Sequence, residues 1–162
     1  MLFFTSDLCF GNDLVSKERG FASVEEHDSY LINRVNERVC PEDDLFVLGN
    51  VYLGTRVDEL FNKMSDLSCK VHIITGDFDS NEVVKLYWYC KNVIEVVSAK
   101  FLEVDSYRLL LSRDFLDVGY LNCVYGNGYG SKPYNEKGVC VCVDFRDYYP
   151  VEWIEIRKEL GW

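Results

Sequence analysis

Leu2-Phe3-Phe4-Thr5-Ser6-Asp7-Leu8-Cys9-Phe10-Gly11-Asn12 starts as an apolar strand and breaks into a loop carrying an acid, a thiol and a glycine. The same event recurs twice. Leu45-Phe46-Val47-Leu48 stops at Gly49-Asn50, and residues 70–75 stop at Gly76-Asp77-Phe78-Asp79. Short apolar runs bounded by turn residues suit strands buried on both faces. Helical patterns separate them. Ser23-Val24-Glu25-Glu26 has the form of a capping box and opens a helix to about residue 38, with Val24, Tyr30, Leu31 and Val35 as core contacts. Residues 57–67 repeat apolar positions at helical spacing through Val57, Leu60, Phe61 and Met64. Asp79-Ser80-Asn81-Glu82 is a third helix start, with Asp79 as the expected N-cap of residues 83–89. Three strand–helix units predict an α/β fold, whose sites lie in the loops beyond the strand C-termini.

The remainder is richer in strands. Residues 93–97 form one. Residues 101–104 and 107–111 flank Asp105-Ser106, a two-residue hairpin signal. Residues 121–125 and 139–145 are two further strands around Gly126-Asn127-Gly128-Tyr129-Gly130. Pro150 fits the first position of a closing helix over 151–160. No linker or repeat interrupts the pattern, so residues 1–162 are expected to form a single domain.

Composition narrows the function classes. The formal net charge is −10, and no Lys/Arg cluster offsets it, so neither nucleic acid nor a membrane surface is an expected partner. No apolar run approaches the ~20 residues that cross a bilayer. The first residues carry no basic segment, so a signal peptide is not expected, and the expected location is cytoplasmic. The cysteines number seven, with no Cys-x-x-Cys pair, which argues for buried thiols in a reducing compartment rather than a disulfide framework or zinc ribbon. His72 lies in an apolar strand and is expected to be structural. His27 follows two glutamates and is expected on a solvated helix face.

Ser6-Asp7-x-x-Phe10-Gly11, Leu48-Gly49-Asn50, Thr75-Gly76-Asp77-Phe78-Asp79 and Val143-Asp144-x-x-Asp147-Tyr148-x-Pro150-Val151 together resemble the calcineurin-like metallophosphoesterases of the compact single-domain kind. The resemblance covers nearly the whole chain. It implies a four-layer α/β/β/α sandwich and a two-metal displacement at phosphate. Carried over position by position, Asp7 is a retained ligand. Cys9 stands where a histidine ligand is normal, and Asn50 stands for the bridging aspartate. Asp77 stands for the asparagine of the third motif, and Phe78 for the catalytic histidine. Arg113 falls at the ligand on the later strand, while Asn127 and Tyr129 replace the closing histidines.

This set of substitutions decides the expectation. An amide at the bridge lacks the charge that holds two cations, Arg113 carries a permanent positive charge, and Phe78 moves no proton. The implied protein is catalytically degenerate: a non-hydrolytic binding or interaction module with no cofactor. Its partner is expected to be another protein or a phosphorylated ligand held by Arg113, Gly126, Asn127 and Gly128. Residue types leave the oligomeric state open. The alternative is a low-activity phosphoesterase holding one Mn, Mg or Ni cation at Asp7, Asn50 and Asp77. In the cation-free form, Arg113 is expected to lie between Asp7 and Asp77. Cys9 as a nucleophile would need a base such as histidine or a cationic neighbour to become thiolate, and Arg113 is the candidate for the latter.

Overall fold

The computed structural model describes residues 1–127, 134, 135 and 137–162. Four strands follow one another in parallel: β1 (Leu2–Thr5), β2 (Asp44–Leu48), β3 (Lys70–Ile74) and β4 (Val93–Val97). Helices α1 (Asp13–Glu18) and α2 (Val24–Arg38) fill the first crossover, α3 (Val57–Asp66) the second and α4 (Asn81–Tyr87) the third. The expected hairpin forms as β5 (Ala99–Val104) and β6 (Tyr107–Ser112), antiparallel, with Val104 opposite Tyr107. Asp105 and Ser106 both take positive φ, +51° and +71°, as a two-residue turn of this kind requires. Strand β7 (Asn122–Tyr125) then pairs in parallel with β6, and β9 (Gly138–Cys140) with β7, while β8 (Tyr134–Asn135) closes that edge antiparallel. The chain ends with β10 (Val151–Glu152) and α5 (Trp153–Glu159).

Two five-stranded sheets result, ordered β10-β1-β2-β3-β4 and β5-β6-β7-β9-β8. Alternation along the strands sends side chains to two cores. On one face of the first sheet, Phe3, Leu45, Val47, Val71 and Ile73 meet Leu31 and Val35 of α2 and Leu60 and Met64 of α3. On the other face, Phe4, Phe46, Leu48 and Ile74 meet Leu109, Leu111, Val124 and Val139 of the second sheet. Trp153 and Ile156 of α5 join this inner core. The outer face of the second sheet gathers Cys123, Tyr125, Cys140 and Cys142 under the loop residue Phe115, with no helical residue among the described ones. The visible layers are therefore helix, sheet and sheet. The fold is mixed α/β, and the expected outer helical layer is not among the described elements.

Several local expectations change. The stretch 139–145 is strand only as far as Cys140; beyond it Cys142 makes a single bridge to Ser6 and Val143–Phe145 is a turn of 3₁₀ helix. The last helix begins at Trp153 rather than at 151, because Val151 and Glu152 pair with Phe4 and Phe3 of β1 and Val151 enters the inner core. Glu152 then caps α5 in a capping box with Glu155. Ser23 caps α2 as expected, accepting from Glu26 N, but the Glu26 carboxylate reaches Ala22 N at 2.7 Å instead of Ser23 N. Helix α1 follows directly on the loop after β1; Asn12 caps it by accepting from Val15 N at 2.9 Å.

Candidate functional site

The C-terminal ends of β1, β2 and β3 meet those of β6, β7 and β9 at one end of the two sheets. The join between the sheets is made there by the Ser6–Cys142 bridge and by Ser6 Oγ, which donates to the Gly126 carbonyl at 2.8 Å. The loops after β1 and β2 are laced together: Asp7 N, Cys9 N and Phe10 N donate to the carbonyls of Gly49, Asn50 and Val51 at 3.0, 2.8 and 2.9 Å. This lacing holds three non-glycine residues in the left-handed region: Asp7 at φ +57°, Cys9 at +52° and Asn50 at +52°. Each such residue costs on the order of 1–3 kcal/mol and persists only where its surroundings impose it.

Asp7 is 5% exposed and Asn50 3%. Asn50 Nδ2 donates to Asp7 Oδ1 at 2.8 Å, and Asn50 Oδ1 accepts from Phe78 N at 3.1 Å. The guanidinium of Arg113 grips the same carboxylate with two nitrogens, at 3.2 Å to Oδ2 and 3.1 Å to Oδ1. This fork is the geometry for which arginine differs from lysine. Gly49, at φ +92°, makes room for it: a Cβ there would lie 2.4 Å from Arg113 Cδ. Burial raises the Asp7 carboxyl above its ordinary range, while Arg113, Asn50 and Cys142 pull it the other way. Arg113 therefore stands beside Asp7 as expected, but Asp77 does not complete the cluster. Asp77 is exposed and makes no hydrogen bond or ion pair among the described residues. The loop after β3 turns Phe78 and Asp77 outward because Asp79, not Asp77, is the acid it buries.

Asp79 is 8% exposed and is not a helix cap. Its Oδ2 accepts from Asn50 N at 2.9 Å and Gly76 N at 2.8 Å, and its Oδ1 from Val51 N at 3.0 Å and Tyr87 Oη at 2.9 Å. Ser80 caps α4 instead, accepting from Val83 N at 3.3 Å. A carboxylate that satisfies three buried backbone N–H groups is worth more to the loop than a cap exposed to water.

Of the residues expected to bind phosphate, Arg113, Gly126 and Asn127 are each engaged by other groups of the chain. Arg113 lies beneath Gly49 rather than along the cleft wall. Gly126 N donates to the Arg113 carbonyl at 3.0 Å and Asn127 N to the same carbonyl at 2.7 Å, so neither N–H is turned toward a ligand. Asn127 Nδ2 donates to Asp114 at 2.6 Å. Gly128 and Tyr129 lie outside the described residues. A dinuclear metal centre does not fit the donors among the described residues: both Asp7 oxygens are taken by Arg113 and Asn50, Asn50 offers its amide N–H to Asp7, and Asp77 is turned away. Cys9 is not activated: burial and the Asp7 charge push its thiol up to about 12, away from thiolate, against the weaker pull of Arg19 and Arg113.

Above Asp7 opens a cleft of about 380 Å³. Cys9, Asn50 and Cys142 border it beside Asp7, and Phe78 and Phe145 stand at its mouth, 69% and 44% exposed. One wall is an arginine that residue-type reasoning passed over. Arg19 donates through Nε and Nη2 to both oxygens of Asp144 at 2.8 Å, through Nη2 to the Asp7 carbonyl at 2.9 Å, and lies 3.0 Å through Nη1 from His27 Nε2. His27 is fully buried rather than solvated, with Nδ1 2.8 Å from an equally buried Asp28. Its position four residues before Leu31 put it on the core stripe of α2, a signal available in the sequence. The Arg19–Asp144 contact spans 125 positions and had no such signal. His72 is structural, stacked on Phe46 at 4.5 Å between Asp44 and Glu95.

No family model matches the chain, and no curated protein matches it. Solved structures do. A protein of unknown function from Aquifex aeolicus, AQ665, aligns with a TM-score of 0.75 at 19% identity, over 98% of each chain. An archaeal phosphodiesterase aligns with a TM-score of 0.49 at 10% identity, over 87% of this chain and 81% of that one. The first likeness establishes a shared fold along the full length. The second is too distant to add to it. Among the described residues no helix is long and apolar enough to cross a membrane.

Proposed function

We propose that the chain is a single calcineurin-like phosphoesterase domain that binds a partner without hydrolysing phosphate esters. The observation that carries this reading is the Asp7–Asn50–Arg113 cluster. The strained backbone at Asp7, Cys9 and Asn50 is the kind of geometry retained at functional sites. Yet the carboxylate that it presents is neutralised by a guanidinium of the same chain. A fold can outlive its chemistry and serve as a scaffold for contact.

Hydrolysis tests the reading. A chromogenic phosphodiester is offered with Mn²⁺, Ni²⁺, Mg²⁺ or no metal to the wild-type chain and to Asp7→Ala. The expected result is no turnover above the Asp7→Ala background with any cation. Metal-dependent turnover lost in Asp7→Ala would establish the alternative, a phosphoesterase of low activity.

A further inference from the structure

We infer that the cleft above Asp7 receives an arginine side chain of a protein partner. The inference rests on the non-hydrolytic reading and names its ligand. Three acids line the cleft: Asp7, Glu18 and Asp144. Two are already matched, Asp7 by Arg113 and Asp144 by Arg19. Glu18 is exposed and has neither an ion pair nor a hydrogen bond among the described residues. Among the described residues the lining thus keeps one negative charge to spare.

An anion entering the cleft would meet that charge, and the one cationic side chain among the described lining residues, Arg19, is already engaged. Every nitrogen of Arg19 is committed to Asp144, to the Asp7 carbonyl or to His27, and Arg113 does not reach the lining. A monocation meets the opposite situation. The apolar parts of the cleft suit the rest of an arginine side chain. Val15 and Leu53 offer apolar surface to its methylene stem, and Phe78 and Phe145 are aromatic neighbours for a planar guanidinium. A protein is the better source than a free amine, because Phe78 and Phe145 project beyond the charged part of the cleft and need an apolar neighbour to cover them. The overall charge of −10 favours the approach of a basic partner.

The test is an amide-NMR titration of the full chain with a capped Leu-Arg-Leu tripeptide. Its arms are the same peptide with citrulline, the same peptide with phosphoserine, and agmatine. The arginine peptide is expected to shift the amides around Glu18, Phe78 and Phe145. Citrulline, which keeps the shape and loses the charge, should weaken binding about tenfold, and Glu18→Gln should weaken the arginine peptide alone by about as much. Equal binding of arginine and citrulline peptides, an unchanged affinity in Glu18→Gln, or tighter binding of phosphoserine would each overturn the inference. Agmatine binding as tightly as the tripeptide would overturn the protein source. Absence of arginine binding in a chain that also fails to hydrolyse phosphodiesters overturns this inference alone, whereas metal-dependent turnover overturns the reading beneath it.

Discussion

Two buried aspartates, 72 residues apart in the chain, sit within one set of loops and are held in different ways. Asp79 is held by backbone: three N–H groups from the loops after β2 and β3, with Tyr87 as its one side-chain partner. Asp7 is held by side chains: Arg113 from the second sheet and Asn50 from the neighbouring loop. Backbone donors are present whatever the residue type, so the Asp79 node fixes loop geometry and is insensitive to which side chains surround it. The Asp7 node depends on two particular residues, and this is where the chemistry implied by the resemblance has been exchanged. The molecule keeps the frame at one acid and changes the content at the other.

The contrast has energetic consequences. Asp79→Ala should be the most damaging single change, leaving three backbone donors and the Tyr87 hydroxyl unsatisfied, with a loss of about 4–6 kcal/mol in urea unfolding. A loss below that of any Asp7 variant would break the comparison. At the other node the two partners should be unequal. Asp7→Ala strands a guanidinium that cannot lose its charge, at a cost of about 3–4 kcal/mol. Arg113→Met strands a carboxyl that burial already inclines to hold a proton, at about 1–2 kcal/mol. Equal costs would mean that Asp7 and Arg113 act as a simple ion pair.

The strand–loop framework of this site was legible from residue types; its wiring was not. Apolar runs ending in Gly-Asn or Gly-Asp announced β2 and β3 and the loops beyond them, because local sequence sets where a strand must stop. The hairpin at Asp105-Ser106 was legible for the same reason. Asp7, Asn50 and Arg113 could be placed together through the resemblance. The rest depended on which groups tertiary contact leaves unsatisfied. Asp79 looks like a cap until the orphan N–H groups of two other loops are known. Arg19 looks like a surface arginine until Asp144, from the far end of the chain, arrives beside it. Val151 and Glu152 fit a helix start until an edge of β1 is available to pair with.

A separate effect, spread over the whole molecule, concerns the buried thiols. Cys9, Cys69 and Cys90 are pushed up from 9.0, mainly by burial, to about 12, 11 and 11. Folded values above unfolded ones mean that the folded chain keeps protons the unfolded chain has released. Their stabilisation is complete below about pH 9 and is lost as pH rises through the folded values. Unfolding free energy should therefore fall between pH 9 and 11, less steeply in Cys9→Ala. A flat profile across that range would place these thiols in contact with water.

The most direct measurement is an electron paramagnetic resonance titration of Mn²⁺ into the wild-type chain and Asp7→Ala, reading bound against free ion without reference to activity. If Arg113 has taken the place of cations beside Asp7, the two proteins will bind Mn²⁺ equally weakly. A site present in the wild type and absent in Asp7→Ala would contradict the account, by showing that the carboxylate still serves a metal.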